Sequence, residues 1–250
     1  MKNRQSGAAP GQARKLTTLK DIWLLALCLL LGGAVFLAGR GTAAESAVKI
    51  PAPALDVSAG AAGTETAVFA GGCFWGVQAV FQHTQGVIGA VSGYAGGDKK
   101  GATYDAVSRG STGHAESVQV TYDPKKISYG KLLQIYFSVA HDPTQLNRQF
   151  PDVGTQYRSA IFYTSAEQQK VAQQYIAQLN AAGTYKSKIV TEVSALPAFY
   201  AAEDYHQDYA TLHPSQPYIA TYDLPKLGFL KSMFPEMYRE APVLVAQAKK

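Results

Sequence analysis

Gly71-Gly72-Cys73-Phe74-Trp75-Gly76 is the stretch around which this chain is organised. A short apolar strand pattern, Ala67-Val68-Phe69-Ala70, precedes it. Phe74, Val77, Val80 and Phe81 follow at the spacings of three and four that mark one face of a helix. A strand, a glycine pair and a helix start put the Cys73 sulfur beside unpaired backbone N–H groups at the positive end of a helix dipole. That setting favours thiolate over thiol, and thiolate is the reactive form of cysteine. Free cysteine is more often a small buried hydrophobe, but the flanking glycines and the aromatic pair point to a nucleophile.

Outward from this stretch, the pattern alternates strands with helices. Val87–Tyr94 reads as a strand, and Ala115–Tyr122 alternates with Val118, Val120 and Tyr122 on one face. Ser128–Ala140 reads as a helix capped by Ser128, with Leu132, Leu133, Tyr136 and Phe137 on its apolar face. Ser159–Tyr163 is a strand, Ser165–Asn180 a helix capped by Thr164 or Ser165, and Lys188–Val193 a further strand. His141–Gly154 reads as loop. One adjacent strand pair has no helix between, which predicts an α/β fold: a two-layer sandwich of helices on a mixed sheet. After Pro214, Asp223–Tyr238 is amphipathic, with Leu227, Leu230, Met233 and Phe234 on one side. It reads as a lid or packing helix.

Of the formal charge of +5, the surplus sits in residues 1–44, which carry six basic side chains against Asp21; the remaining residues hold 17 of each sign. A nucleic-acid binder would keep a basic surplus on its folded domain, so no nucleic-acid partner is expected. The apolar run Ile22–Ala38 spans 17 residues, follows five basic residues and precedes Gly41-Thr42-Ala43-Ala44. Residues 1–44 therefore read as an export signal cut after Ala44, or as a membrane anchor through residues 22–38. Either form predicts a periplasmic location or anchoring to the outer face of the cytoplasmic membrane. Residues 45–65, rich in Ala, Gly, Pro and Ser, read as a flexible linker reaching on the order of 25 Å. Residues 66–213 form the expected catalytic domain, and 214–250 an extension packed on it. The two cysteines are Cys28, within the apolar run, and Cys73, so no disulfide framework is expected. With no second cysteine near Cys73 and no ligand-like histidine spacing, neither a metal nor another cofactor is expected.

Three polar clusters fall in expected loops: Gly113-His114-Ala115-Glu116, then Asp152-Val153-Gly154-Thr155-Gln156-Tyr157-Arg158-Ser159, then Ala202-Glu203-Asp204-Tyr205-His206-Gln207-Asp208-Tyr209. A cysteine-dependent hydrolase or acyltransferase would use His114 or His206 as base. The abundance of tyrosine and carboxylate fits another chemistry better, attack of a thiolate on the sulfur of a sulfoxide. That reaction needs a carboxyl group holding a proton, hydroxyls for the departing oxygen and an apolar pocket for a methyl group. Glu116, Tyr104, Tyr157 and the Phe74–Trp75 pair would supply them. A third reading is a tethered module that binds oxidised proteins without turning them over.

Gly71-Gly72-Cys73-Phe74-Trp75, Gly113-His114-Ala115-Glu116 and Gly154-Thr155-Gln156-Tyr157-Arg158-Ser159, in that order, resemble the peptide methionine sulfoxide reductase A family. The resemblance spans roughly residues 66–210. It implies reduction of methionine-S-sulfoxide, free or in proteins, on an α/β sandwich with ferredoxin-like character. Carried over, it makes Cys73 the nucleophile that becomes a sulfenic acid and Glu116 the general acid. Tyr104 and Tyr157 bind the oxygen, Asp152 supports the site, and Phe74 and Trp75 form the methyl pocket. Many members carry further C-terminal cysteines that resolve the sulfenic acid; this chain has none after Cys73. An external thiol, a thioredoxin-like protein or a small molecule, is therefore the expected reductant. His206 resembles a family residue and is expected to be a packed histidine without a chemical step.

Overall fold

The computed structural model describes residues 47–57 and 63–245. The expected export segment, residues 1–44, lies outside them. β1 (Glu65–Gly71) runs near the middle of a six-stranded sheet, antiparallel to β3 (Ala115–Tyr122) on one side and to β6 (Ser159–Tyr163) on the other. β2 (Val87–Ala95) pairs with β3, and β8 (Phe199–Ala201) closes that edge. β7 (Glu192–Ala195) pairs with β6 as the sheet's parallel neighbour, which requires a crossover, and α4 (Ala166–Ala181) supplies it. The order is β7-β6-β1-β3-β2-β8, a mixed sheet as the pattern predicts.

The sheet alternation decides where the core lies. Phe69, Val118 and Val120 pack with Phe74, Val77 and Phe81 of α1 (Phe74–Gln82), Leu132 and Leu133 of α3 (Tyr129–Ile135), and Val171 and Tyr175 of α4. The intervening residues Val68, Ala70, Ala115, Ala160 and Phe162 form a smaller cluster of their own. The Phe69 ring stacks against those of Phe81 and Tyr136, with centroids 5.2 and 5.0 Å away. Each fully buried large apolar side chain contributes roughly 1.5–3 kcal/mol, so this triple anchors β1, and with it the Cys73 turn. The caps are as expected: Ser128 accepts from Lys131 N–H at 3.1 Å and Ser165 from Gln168 N–H at 3.2 Å. After α3 the helix continues as a wider turn over Tyr136–Ala140.

Three expectations shift. Lys188–Val193 was expected as a strand, but β7 begins only at Glu192. Ile189 N–H instead donates to the Asn180 side chain at 3.0 Å and Val190 N–H to Pro143 O at 2.9 Å, so these backbones have partners outside the sheet. The His141–Gly154 loop contains a small hairpin, β4 (Arg148–Gln149) with β5 (Asp152–Val153), whose turn holds the cis peptide Phe150–Pro151. The expected linker 45–65 is in part a packed segment. Ile50 is buried in the core, Val48 N–H donates to Ser138 O at 3.1 Å, and Asp56 accepts from Ser128 Oγ at 2.6 Å and Gly130 N–H at 2.7 Å. Composition marked this stretch as coil because it lacks a period. A segment that lies across helices needs only single anchors, and single anchors leave no period.

The C-terminal extension packs on α1. After the short α5 (Tyr209–Leu212), a wide turn, Ile219–Asp223, leads into α6 (Leu224–Met233), and the chain then returns along the end of α1, with Arg239 N–H on His83 O at 2.8 Å and Val243 N–H on Gln82 O at 3.1 Å. Among the described residues no helix is long and apolar enough to cross a membrane.

Candidate active site

Cys73 is the residue just before α1, between a strand end and a helix start as its sequence context predicts. Gly72 makes the turn possible. Its φ is +86°, and a Cβ there would lie 2.5 Å from the Gln149 side chain, so a side chain is excluded on both counts. Four more elements bring the other groups. Glu116 comes from β3, Tyr104 from α2 (Tyr104–Val107), Asp152 from the small hairpin and Tyr157 from the turn Thr155–Tyr157. Cys73, Phe74, Trp75, Tyr104, Glu116, Asp152 and Tyr157 line one cavity of about 190 Å³. Every expected site residue thus faces the same space.

Sequence reasoning missed Tyr218, the eighth residue of that cavity, which reaches in from the C-terminal extension and donates its phenol proton to Asp152. It also missed Glu203, whose carboxylate accepts Tyr104 N–H at 2.9 Å and Tyr94 O–H at 2.8 Å and so fixes the start of α2. Glu203 stood in a quoted cluster; for Tyr218 no local pattern existed.

Trp75 is held from three sides. Its ring stacks on Tyr209 with centroids 4.0 Å apart, meets Tyr218 edge-on, and donates Nε1–H to His206 Nδ1 at 3.3 Å. The Phe74 and Tyr104 rings also touch the His206 ring, at 5.1 and 4.4 Å. The third cluster is fastened to α1 by buried amides. Gln78 Nε2 donates to Gln207 Oε1 at 2.8 Å, and Gln82 Nε2 to Asp208 Oδ1 at 2.7 Å. His206 therefore supports the aromatic wall, as a packed histidine would. His114 lies elsewhere: Gly97 N–H donates to its Nδ1 at 3.2 Å, so its Nε2–H donates to Asp98 O at 2.8 Å. Both nitrogens are used in holding a loop. Among the described residues no histidine hydrogen-bonds to Cys73.

Protonation follows from burial. Glu116 is 2% exposed, and desolvation pushes its carboxyl up to about 8. Phe74 N–H, donating at 3.0 Å, opposes this, while the Asp152 and Asp223 charges add to it. At neutral pH Glu116 is mainly a neutral acid. Burial also raises the phenols of Tyr104, Tyr157 and Tyr218, which stay protonated donors. Asp152 is raised by burial, while the Tyr218 hydrogen bond and Lys226 pull it down.

Cys73 departs from expectation. Its thiol is raised well above the ordinary value, first by burial and then by the charges of Glu116, Asp223 and Asp152. Trp75 N–H, at the helix start, works in the opposite direction and is outweighed. The helix end does draw Cys73 toward thiolate, but desolvation and the three carboxyls, which come from packing, outweigh it. Free Cys73 rests as the thiol.

A buried thiol beside a neutral carboxyl and protonated phenols suits removal of an oxygen atom from a substrate better than acyl transfer. The sequence pattern of the peptide methionine sulfoxide reductase family matches residues 65–236. The chain is 60% identical over 188 residues to the peptide methionine sulfoxide reductase MsrA 2 of Mesorhizobium japonicum, covering 75% of this chain and 96% of that one. It is 53% identical to the MsrA 2 of Synechocystis sp., over 74% and 88% of the two chains. Among solved structures it resembles the reduced form of Mxr1 from Saccharomyces cerevisiae, with TM-score 0.57 and 32% identity over 66% of this chain and 94% of that one. It likewise resembles methionine sulfoxide reductase A of Corynebacterium diphtheriae, with TM-score 0.53 and 36% identity over 68% and 85%. This chain belongs to the peptide methionine sulfoxide reductase family and is an oxidoreductase.

Proposed function

We propose that the chain reduces methionine-S-sulfoxide, free or in proteins, through Cys73, and that an external thiol regenerates it. The observation that carries this reading is the neutral Glu116 carboxyl, buried in the same cavity as Cys73 and held by the first N–H of α1. The substrate methyl group packs on Phe74 and Trp75, and its oxygen meets Glu116, Tyr104 and Tyr157. Cys73 sulfur attacks the sulfoxide sulfur while Glu116 delivers a proton to the oxygen, so the S=O bond polarises toward S–OH. The oxygen then passes to Cys73 as both its bond to the substrate sulfur and the new bond between the two sulfurs break, releasing the thioether. The thiol proton lost by Cys73 restores Glu116. Net, one thiol and one sulfoxide give one sulfenic acid and one thioether; the substrate sulfur gains two electrons and Cys73 loses two.

The sequence holds no cysteine after Cys73, which supports a one-cysteine cycle. One external thiol condenses with the sulfenic acid, expelling water and forming a mixed disulfide; a second releases Cys73 as thiol. A thioredoxin-like protein and a small thiol both fit this chemistry. The test is incubation of the protein with separated S and R epimers of a methionine sulfoxide peptide, with dithiothreitol as reductant. Loss of the S epimer alone, abolished by Cys73→Ser, is expected. Consumption of neither epimer while Cys73 is reduced refutes the reading, and an intramolecular disulfide in the substrate-treated protein refutes the one-cysteine cycle.

The basic residues before Ile22–Ala38 and the apolar run itself support export of the catalytic unit, to the periplasm or to the outer face of the cytoplasmic membrane. Cell fractionation that leaves residues 66–250 in the cytosol would contradict this.

A further inference from the structure

Lysine and aspartate are rarely buried unless paired, and such a pair lies beneath the nucleophile. Asp223 ends the wide turn that follows Tyr218, and Lys226 lies in α6. Their side chains are 1% and 6% exposed, with Nζ 3.5 Å from Oδ1. They press against the first turn of α1 at Gly76, three residues after Cys73. A Cβ on Gly76 would lie 2.1 Å from Asp223 Oδ1 and 3.1 Å from Lys226 Nζ. Neither Asp223 oxygen makes a hydrogen bond of ordinary length among the described residues. The Lys226 ammonium offsets part of the carboxylate charge, but the carboxylate is the nearer of the two to Gly76. A buried ion pair is poor evidence for stability, because apolar replacements are often neutral or stabilising. Its place on the helix end that should support a Cys73 anion calls for another explanation.

We propose that Asp223, retained in the interior by Lys226, is a positioning residue that holds the resting Cys73 as a thiol by placing a second anion on the α1 start. The inference rests on Cys73 being the nucleophile. The groups facing Cys73 are Glu116 from β3, Asp152 from β5, Tyr104, Tyr157 and Tyr218 around the cavity, and Trp75 N–H from α1 itself. Those acting on Asp223 are Lys226, which favours its charge, and Asp152, which opposes it. Asp223 is pushed up to about 6, mainly by burial, and is ionised at neutral pH, where Glu116 is mostly neutral. With Glu116 discharged, Asp223 is the carboxylate of greatest weight on Cys73. The consequence is chemical protection. Peroxide reacts with a thiolate to give sulfenic acid and hydroxide, and a second peroxide takes the sulfenic acid to sulfinic acid and water. With no later cysteine to capture the sulfenic acid, a resting thiol limits the first of these steps.

The test compares purified full-length protein with Asp223→Asn and with the double variant Asp223→Leu/Lys226→Met, which removes both charges if the single variant does not fold. Iodoacetamide labelling of the Cys73 peptide is followed by mass spectrometry across pH, with circular dichroism as the check on folding. The labelling midpoint is expected to fall by about one pH unit in Asp223→Asn, with roughly tenfold faster hydrogen peroxide oxidation of Cys73 at pH 7. A smaller fall, about threefold in rate, is expected in the double variant, where neither charge remains. A midpoint unchanged or raised in a folded variant overturns the proposal, even where the melting temperature moves, since that outcome makes the pair packing alone. Retained turnover in Cys73→Ser would instead remove the nucleophile assignment, and labelling does not depend on turnover.

Discussion

Replacing Glu116 by Gln separates the acid's chemical role from its structural cost. Gln keeps the length of the side chain and an oxygen to accept the Phe74 N–H that now donates at 3.0 Å, but it carries no acidic proton. General acid catalysis contributes about 10²–10⁴-fold, so the rate at pH 6–7 should fall by that factor while the KM for the sulfoxide changes little. The parent should also lose kcat/KM as pH rises through about 8, because the active form of Glu116 is the neutral one. That alkaline limb should be absent in the variant. Stability should move the other way. Glu116 is raised from 4.5 to about 8 in the folded protein. Between those values the folded state binds more protons than the unfolded one, and stability falls as pH rises. The full gap corresponds to at most roughly 4–5 kcal/mol above pH 8. Glu116→Gln should recover a substantial part of it, melting above the parent at pH 8.5 and close to it at pH 4.5. Steady-state kinetics on the S epimer and melting curves at the two pH values measure both effects. Turnover within threefold of the parent at pH 7 would refute the acid role, and equal melting at pH 8.5 would refute the buried, raised carboxyl.

Three further outcomes follow from the geometry. Tyr157→Phe removes a phenol donor from the cavity without emptying its space. It should lower kcat about tenfold and leave the melting temperature within experimental error, consistent with one hydrogen bond to a charge-developing oxygen. Gly72→Ala meets both a φ of +86° and the Gln149 side chain at 2.5 Å. A loss of at least about 1–3 kcal/mol in urea unfolding is expected, together with slower Cys73 labelling. Asp56→Ala deletes the acceptor for Ser128 Oγ and Gly130 N–H and should cost about 1–2 kcal/mol at unchanged kcat. No loss would show that residues 47–57 do not fasten the start of α3.

The order of strands and helices was legible because each of the long elements carries its own period. The alternation of Val118, Val120 and Tyr122 marks one face of β3, and all three are in the core. The Ser128 and Ser165 caps were legible for the same reason, since a cap bonds to a backbone group three residues away. The short pieces were not. β8 has three residues and the small hairpin two per strand, too few to show any period. Lys188–Val190 looked like strand, and tertiary partners from Asn180 and Pro143 took its backbone instead.

The sequence by itself determined the local chemistry: a cysteine at a strand-to-helix turn, an acid on the next central strand, and tyrosines in glycine-bearing loops. These are short-range facts, and seven residues read from them line one cavity. Only the tertiary structure decided which distant side chains join them. Tyr218 comes from the extension to bond Asp152, and Glu203 crosses to the start of α2. Asp223 and Lys226 reach the first turn of α1 from more than 140 residues along the chain. It also decided the protonation states. A helix end is visible in sequence and draws Cys73 toward thiolate. Desolvation and the convergence of three carboxyls are properties of the packed interior, and together they draw it further toward thiol.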